Sequence, residues 1–259
     1  MKLITLHDKR YIEDILRKNV ALHLYEIGDL DDFCWPYTTW YATQDTPPQI
    51  ALLYTGGPTP VLLALSDQPE TQATFLQALR PLLPRTFDLH LTSNAITILE
   101  EDYHITSYGP HYKMALHDRE RLANIDTTHA VQLNIDDLDS IEQIYHESYP
   151  TNWFERRMLE TQHYFGLYMD RMLVSVAGVH VYSPRFKVAT LGNVTTHPAY
   201  RGRGFGTAVC ARLCQVLLRT VEHIGLNVKV HNSAALACYE RLGFANIATY
   251  NEYHCSIKQ

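Results

Sequence analysis

The sequence predicts a mixed α/β protein, an α+β mixed sheet, and three observations carry that expectation. Hydrophobic residues fill 46% of 259 positions and charged residues 19%, enough apolar material for a sizeable core and too little charge for a disordered chain. Apolar spacing switches along the chain between period two and period 3.6, the marks of strand and helix. Proline- and glycine-bearing turn signals separate these runs. At roughly 150 residues per domain the length admits one large or two modest domains.

Helices are expected in the first half over Asp8 to Arg17 and over Glu70 to Leu82, the second closed by Pro84. Trp35-Pro36-Tyr37 and Asp45-Thr46-Pro47-Pro48 mark loops. Ile50 to Tyr54, the turn Thr55 to Pro60 and Val61 to Leu65 read as a hairpin, in which Gly56-Gly57 is a tight turn and too little for a phosphate loop. A strand at Tyr112 to Leu116 precedes the polar stretch Asp118 to Thr128, which lacks strand alternation. The expected division is therefore a first domain at 1–120, a linker at 121–128 and a second domain at 129–259.

The second half reads strand, helix, helix, three strands, helix, strand, helix, strand. Val131 to Leu133 is a short strand, and Leu138, Ile141, Ile144 and Tyr145 give Asp136 to Tyr149 a helical period that Pro150 stops. A second helix is expected from Trp153 to Thr161. Strands Tyr164 to Met169 and Leu173 to Tyr182 flank the turn Asp170-Arg171, and Val188 to Thr196 follows a loop at Pro184. Val209, Leu213, Val216, Leu217, Val221 and Ile224 extend a helix up to Gly225, before a strand at Leu226 to Val230.

Twenty-two basic against 28 acidic side chains leave a net charge of −6, which gives no electrostatic reason to bind a phosphate backbone or an anionic membrane. No apolar run approaches the roughly 20 residues of a membrane span, and the charged start excludes a signal core. A cytoplasmic protein with no nucleic-acid or membrane partner, monomer or homodimer, is expected. Cys34, Cys210, Cys214, Cys238 and Cys255 are odd in number and lack paired spacing, as where thiols stay reduced. Cys210 and Cys214 read as small core residues, and the scattered histidines form no metal array, so no metal is expected.

Chemistry concentrates where the third strand of the second half meets a helix, at Gly192-Asn193-Val194-Thr195-Thr196-His197-Pro198-Ala199-Tyr200-Arg201-Gly202-Arg203-Gly204-Phe205-Gly206-Thr207. Pro198 stops the strand. Glycines at 202, 204 and 206 let the backbone turn sharply and leave no Cβ over successive amides. The helix behind them points its positive end at the same spot, so a pyrophosphate would be well held, with Arg201 and Arg203 adding charge or standing as solvated surface residues. A P-loop fails for want of Gly-Lys-Ser/Thr. A dinucleotide fold fails because three strands precede the glycines and Glu222, the acidic residue at the right offset, lies inside the helix. A glycine-rich turn with no ligand stays as the bland alternative.

Strand, Pro198, then Arg201-x-x-Gly204-x-Gly206 opening a helix resembles the acyl-CoA pyrophosphate loop of the GNAT superfamily of N-acyltransferases. Farther on, Asn232, Tyr239 seven residues later and Leu242-Gly243-Phe244 are similar to that family's second cofactor motif. The resemblance covers about Thr128 to Gln259. The wording Ile224-Gly225-Leu226-Asn227-Val228 is similar to a two-domain subgroup whose first domain is a degenerate copy of the second, although the first half here shows no second phosphate loop. The resemblance implies a GNAT-like acyl-CoA N-acyltransferase fold in the C-terminal half with a related, degenerate α/β N-terminal domain.

It also implies acetyl-CoA as donor and a primary amine of a small molecule or peptide as acceptor, attacking directly with no covalent enzyme intermediate. Backbone groups of Val194, Thr195 and Thr196 would pair with the pantetheine arm like an added strand, and the amides of Gly202, Arg203, Gly204, Phe205, Gly206 and Thr207 would hold the pyrophosphate. Asn232 would bond a pantetheine amide or simply cap its helix. Tyr239 would protonate the departing thiolate or pack as a core tyrosine.

An aliphatic amine with pKa near 10.4 needs about 4–5 kcal/mol to shed its proton at pH 7, so something must accept that proton. Where some relatives carry glutamate on the third strand this chain has Thr190, which cannot serve as a base. His180 on the neighbouring strand and Glu160 on the preceding helix are candidates, directly or through water. A backbone-bonded histidine and a solvated helix face are their structural alternatives. Tyr149, Trp153, Phe154 and Tyr164 line an apolar acceptor pocket or pack the core. The other class of function open to the chain is a non-catalytic acyl-CoA sensor or regulatory module, which would keep the donor loop without a working acceptor pocket.

Overall fold

Strand registers and connections in the computed structural model, which describes residues 2–258, divide the chain into two units. The first comprises Met1–Lys113 with Asn246–Gln259, and the second Met114–Ala245. Each is built on its own sheet order, and the two orders follow one plan.

In the first unit β1 (Leu3–Leu6) is followed by helices α1 (Lys9–Leu16) and α2 (Leu24–Gly28), then β2 (Thr38–Thr43), β3 (Ile50–Tyr54), β4 (Val61–Ala64), α3 (Pro69–Leu79) and β5 (Thr86–Leu91). The first four strands pair antiparallel in sequence order, and β4 pairs β5 in parallel across the α3 crossover. Strand β6 (Tyr103–Leu116) closes the first stretch of chain, and the last strand, β12 (Phe244–Ile257), lies antiparallel to β5 from Asn251 to Ser256. Asp8 starts α1 by accepting from the amides of Arg10 and Tyr11, the cap its short carboxylate suits. Phe75, Leu76 and Leu79 of α3 bury against Phe87, Leu89 and Leu91 of β5, which puts the period-3.6 stripe of one element on the period-2 face of the other.

In the second unit β7 (Val131–Gln132), α4 (Leu138–Ser148), β8 (Phe165–Met169), β9 (Met172–Ser183) and β10 (Val188–Thr196) come first. Helix α5 (Phe205–Leu217), β11 (His223–Lys229) and α6 (Ser233–Arg241) follow. Strands β7 to β10 pair antiparallel in sequence order, and β10 pairs β11 in parallel across α5, the connection pattern of β1 to β5 repeated. A helix crossover is what a parallel pair requires. Asp170 and Arg171, at φ 48° and 68°, form the two-residue turn between β8 and β9.

Three sequence expectations change. The helix expected from Trp153 is a 3₁₀ turn at Arg156–Thr161. The polar stretch after Asp118 carries a 3₁₀ turn of its own at Arg119–Asn124. Helix α5 ends at Leu217 rather than near Gly225, and Ile224 already pairs with Ala189 in β11. The Lys187 carbonyl turns the chain there by accepting from the amides of Glu222 and His223 at 2.9 and 3.0 Å. Val221 and Ile224 stay apolar because these two side chains, unlike their exposed neighbours Glu222 and His223, are as buried as the core face of the helix, so helical spacing persists where no helix does.

Candidate active site

Helix α5 begins without a side-chain cap. Its N-cap residue is Gly204 at φ 82°, preceded by Gly202 at φ 75°, both in the left-handed region that side-chain-bearing residues avoid. A Cβ at either position would meet no atom within 4 Å, so open space rather than packing lies over this turn. The amides at the start of a helix have no intrahelical partner, and here they open onto that space at the positive end of a 13-residue helix. An anion such as a pyrophosphate fits this cradle on geometry and on charge. Arg201 and Arg203 are exposed and folded back: Arg201 Nε donates to the Thr196 carbonyl at 3.1 Å, Arg203 donates to the Ala199 carbonyl at 3.4 Å, and the Arg203 guanidinium lies 5.1 Å from the centre of the Tyr200 ring.

The second motif meets the first through sulfur and hydroxyl. Thr207 Oγ1, in the first turn of α5, lies 3.3 Å from Cys238 Sγ on α6. A hydrogen bond from Cys210 and that of Thr207 bring the Cys238 thiol down to about 7, whereas the Cys238 bond and burial push Cys210 up, and burial pushes Cys214 up. Tyr239, next in sequence, is 7% exposed, with its ring 5.9 Å from that of Phe244. Asn232 Oδ1 caps α6 by accepting from the Ala235 amide at 3.2 Å, which leaves its Nδ2 as a donor at the helix start.

Between these motifs β10 parts from β11. Their pairing runs from Val188↔His223 to Leu191↔Leu226 and no farther among the described residues, while β10 continues to Thr196 along β9. That leaves the β11 side of Val194, Thr195 and Thr196 as the strand edge that an extended ligand arm needs. A bulge between Gly192 and Thr195 bends β10 there, with Asn193 at φ 54°.

Asn193 lies in the stretch singled out in the sequence but has no role assigned there. Buried to 4% exposure, it accepts from the Trp153 amide at 3.2 Å and donates from Nδ2 to the Tyr164 hydroxyl at 3.0 Å, while its carbonyl accepts from the Tyr145 hydroxyl at 2.7 Å. One residue, through side chain and carbonyl together, thus ties α4, the 150s loop and the residue just before β8 to the bulge. Asparagine tolerates the left-handed region better than most residues, the one local clue available. Burial pushes the Tyr145 and Tyr164 hydroxyls well up, so both stay protonated donors.

His180 on β9 lies over Gly192: a Cβ there would sit 2.2 Å from the imidazole, so only glycine admits the ring. Trp153 meets that ring edge-on at 6.2 Å. Of the four aromatics expected near an acceptor, Tyr164 is buried, and Phe154 packs between it and Tyr145 at 5.6 and 5.2 Å. Tyr149 and Trp153 are the exposed pair. Glu160 stands exposed on its 3₁₀ turn. No group of three or more histidine, cysteine or acidic side chains suited to a metal occurs among the described residues, and no helix there is long and apolar enough to cross a membrane.

Comparison with known proteins places this geometry. The family model for the GNAT acetyltransferase family matches residues 131–244. The [ribosomal protein bS18]-alanine N-acetyltransferase of Salmonella typhimurium is 30% identical over 128 residues, 47% of this chain and 84% of that protein. Its Escherichia coli K12 counterpart is 37% identical over 67 residues, 26% of this chain, and that match spans 45% of the relative's length. A Drosophila protein of known structure shares the fold over 98% of both chains with a TM-score of 0.72 at 14% identity. A GCN5-related N-acetyltransferase from Sphaerobacter thermophilus does so over 98% of this chain and 95% of its own, with a TM-score of 0.56 at 13% identity. The fold and the family match define an acyltransferase scaffold. The chain belongs to the GNAT acetyltransferase family.

Proposed function

We propose that the protein is an acetyl-CoA-dependent N-acetyltransferase that moves an acetyl group to a primary amine of a small molecule or peptide. The observation that carries this reading is the uncapped, glycine-shaped start of α5 beside the unpaired edge of β10. Bound there, acetyl-CoA supplies an activated thioester carbonyl. The amides of Gly202 to Thr207 hold its pyrophosphate, and backbone groups of Val194 to Thr196 align its arm. Tyr239 keeps a proton for the departing thiolate sulfur, and its place beside Cys238, which touches the first turn of α5, supports that role. His180, seated on Gly192 next to the bulge, takes the proton the amine sheds; Glu160, exposed on its turn, serves at most through water. The relatives named for an alanine of ribosomal protein bS18 support an amine acceptor.

The first unit is read as a degenerate copy of the second. Its β1–β5 order supports this, and so does the start of α3, where Gln68 stands at the N-cap in place of a glycine loop. Free thiols on all five cysteines suit a cytoplasmic setting.

Calorimetry with coenzyme A and a transfer assay test the reading together. Tyr239→Phe should leave donor affinity unchanged and lower turnover about a hundredfold or more. Tight donor binding with no transfer to any amine would leave the sensor function in its place.

A further inference from the structure

The sheet face that carries His180 holds two polar atoms that neither cofactor motif uses. Parallel pairing sets Thr190 beside Gly225, one step before β10 and β11 part after Leu191 and Leu226, and Asn227 follows two residues beyond Gly225 on β11. Alternation puts Thr190, Gly192 and Asn227 on one face, with the His180 ring lying on Gly192. Thr190 is fully buried. Its Oγ1 and the Oδ1 of Asn227 are both buried without a hydrogen-bond partner. Buried acceptors left unpaired cost free energy, so a native protein completes such atoms with a water, an ion or a ligand. Both oxygens can accept, so the group that completes them is a donor such as an N–H.

Apart from the His180 imidazole, this face offers dipoles and no fixed charge. Among the described residues of the second unit, no aspartate or glutamate is buried; the buried polar side chains are Ser175, Ser183, Thr190, Asn193, Thr195 and Thr207. An ammonium drawn in here would lose its hydration without gaining a counter-charge, whereas a neutral amine exchanges water for two oxygens at little cost. Resting on the acetyltransferase reading above, we infer that Asn227 and Thr190 bind the acceptor nitrogen in its neutral form. The site thereby selects amines of low basicity, the class of the peptide α-amino group, over lysine-like alkylamines.

The discrimination follows from protonation. At pH 7.5 an α-amino group of pKa about 7.8 is roughly one-third neutral, against about one part in 800 for an amine of pKa 10.4, a ratio of about 250. The experiment measures kcat/KM at pH 7.5 for small primary amines spanning pKa values of about 7.5 to 10.5. In parallel, mass spectrometry locates the acetyl group on random peptides that carry both a free N-terminus and lysines. The low-pKa amines and the N-termini should lead by about a hundredfold. For alkylamines kcat/KM should keep climbing with pH to about 10, whereas for α-amines it should level near 8.

Asn227→Asp supplies the missing counter-charge and should narrow the preference at least tenfold with coenzyme A affinity unchanged. Thr190→Val, which keeps the strand-forming shape, should raise KM for both amine classes and serves if the aspartate variant fails to fold. Equal use of both classes by the wild type, or an Asn227→Asp protein with an unchanged ratio, overturns the inference and leaves the acetyltransferase reading standing. Absence of transfer to every amine and peptide sinks that reading, and this inference with it.

Discussion

A methyl group on Gly204 separates what the left-handed turn costs the fold from what it gives the donor. Gly204→Ala keeps open space around the new Cβ, since no atom lies within 4 Å, but holds alanine at φ 82°. That conformation costs a residue with a side chain roughly 1–2 kcal/mol, which at about 2–4 °C per kcal/mol lowers the Tm by several degrees. The same methyl projects over the amides that would grip the diphosphate. Losing one hydrogen bond to a charged group costs about 1.5–3 kcal/mol, a ten- to hundredfold loss of coenzyme A affinity.

Gly109, at φ 87° in β6 and also with nothing within 4 Å, supplies the control. Gly109→Ala should cost the same stability and leave donor affinity untouched. Differential scanning calorimetry reads the first quantity for both variants and titration calorimetry the second. Should Gly204→Ala melt early yet bind coenzyme A like the wild type, the main-chain cradle is not where the donor is held.

Two further outcomes rest on buried polar groups. Asn193→Ala leaves the Trp153 amide without its partner and takes from the Tyr164 hydroxyl the Nδ2 donor it accepts from, while that hydroxyl keeps Met158 Sδ and the Val179 carbonyl, at about 1–3 kcal/mol for each lost bond. Urea denaturation should show a loss of about 2–4 kcal/mol, and amine KM should rise as the 150s loop comes free of the bulge. In the first unit, burial pushes the Asp29 carboxyl up to about 8 from an ordinary 3.8. A raised carboxyl is protonated in the folded state while the unfolded chain ionises, so its stability contribution is present below about pH 4 and is lost as pH rises to about 8. Asn has no charge to suppress, so Asp29→Asn should stabilise the protein by a few kcal/mol at pH 8 and by almost nothing at pH 4, read as the difference between denaturation curves.

The glycine turn that opens α5 was legible because its physics is local. Glycines at 202, 204 and 206, a proline stop and an apolar helix period lie within some 20 consecutive residues, and each acts through its own backbone. The hairpin at 50–65 and the Asp170-Arg171 turn were readable for the same reason. The end of α5 was not, since Val221 and Ile224 are buried in either a helix or a strand.

What the chain alone determined, then, is most of the element order of its second half and the glycine-shaped turn that opens α5, both written in short-range spacing. What the tertiary structure decided is which residues share a face. Thr190, Gly192, His180 and Asn227 come from three strands, and only the register of β9, β10 and β11, with the bulge at Asn193, sets them beside one another. A one-residue slip would turn each to the opposite side of the sheet, so this shared face is a property of pairing and not of any segment.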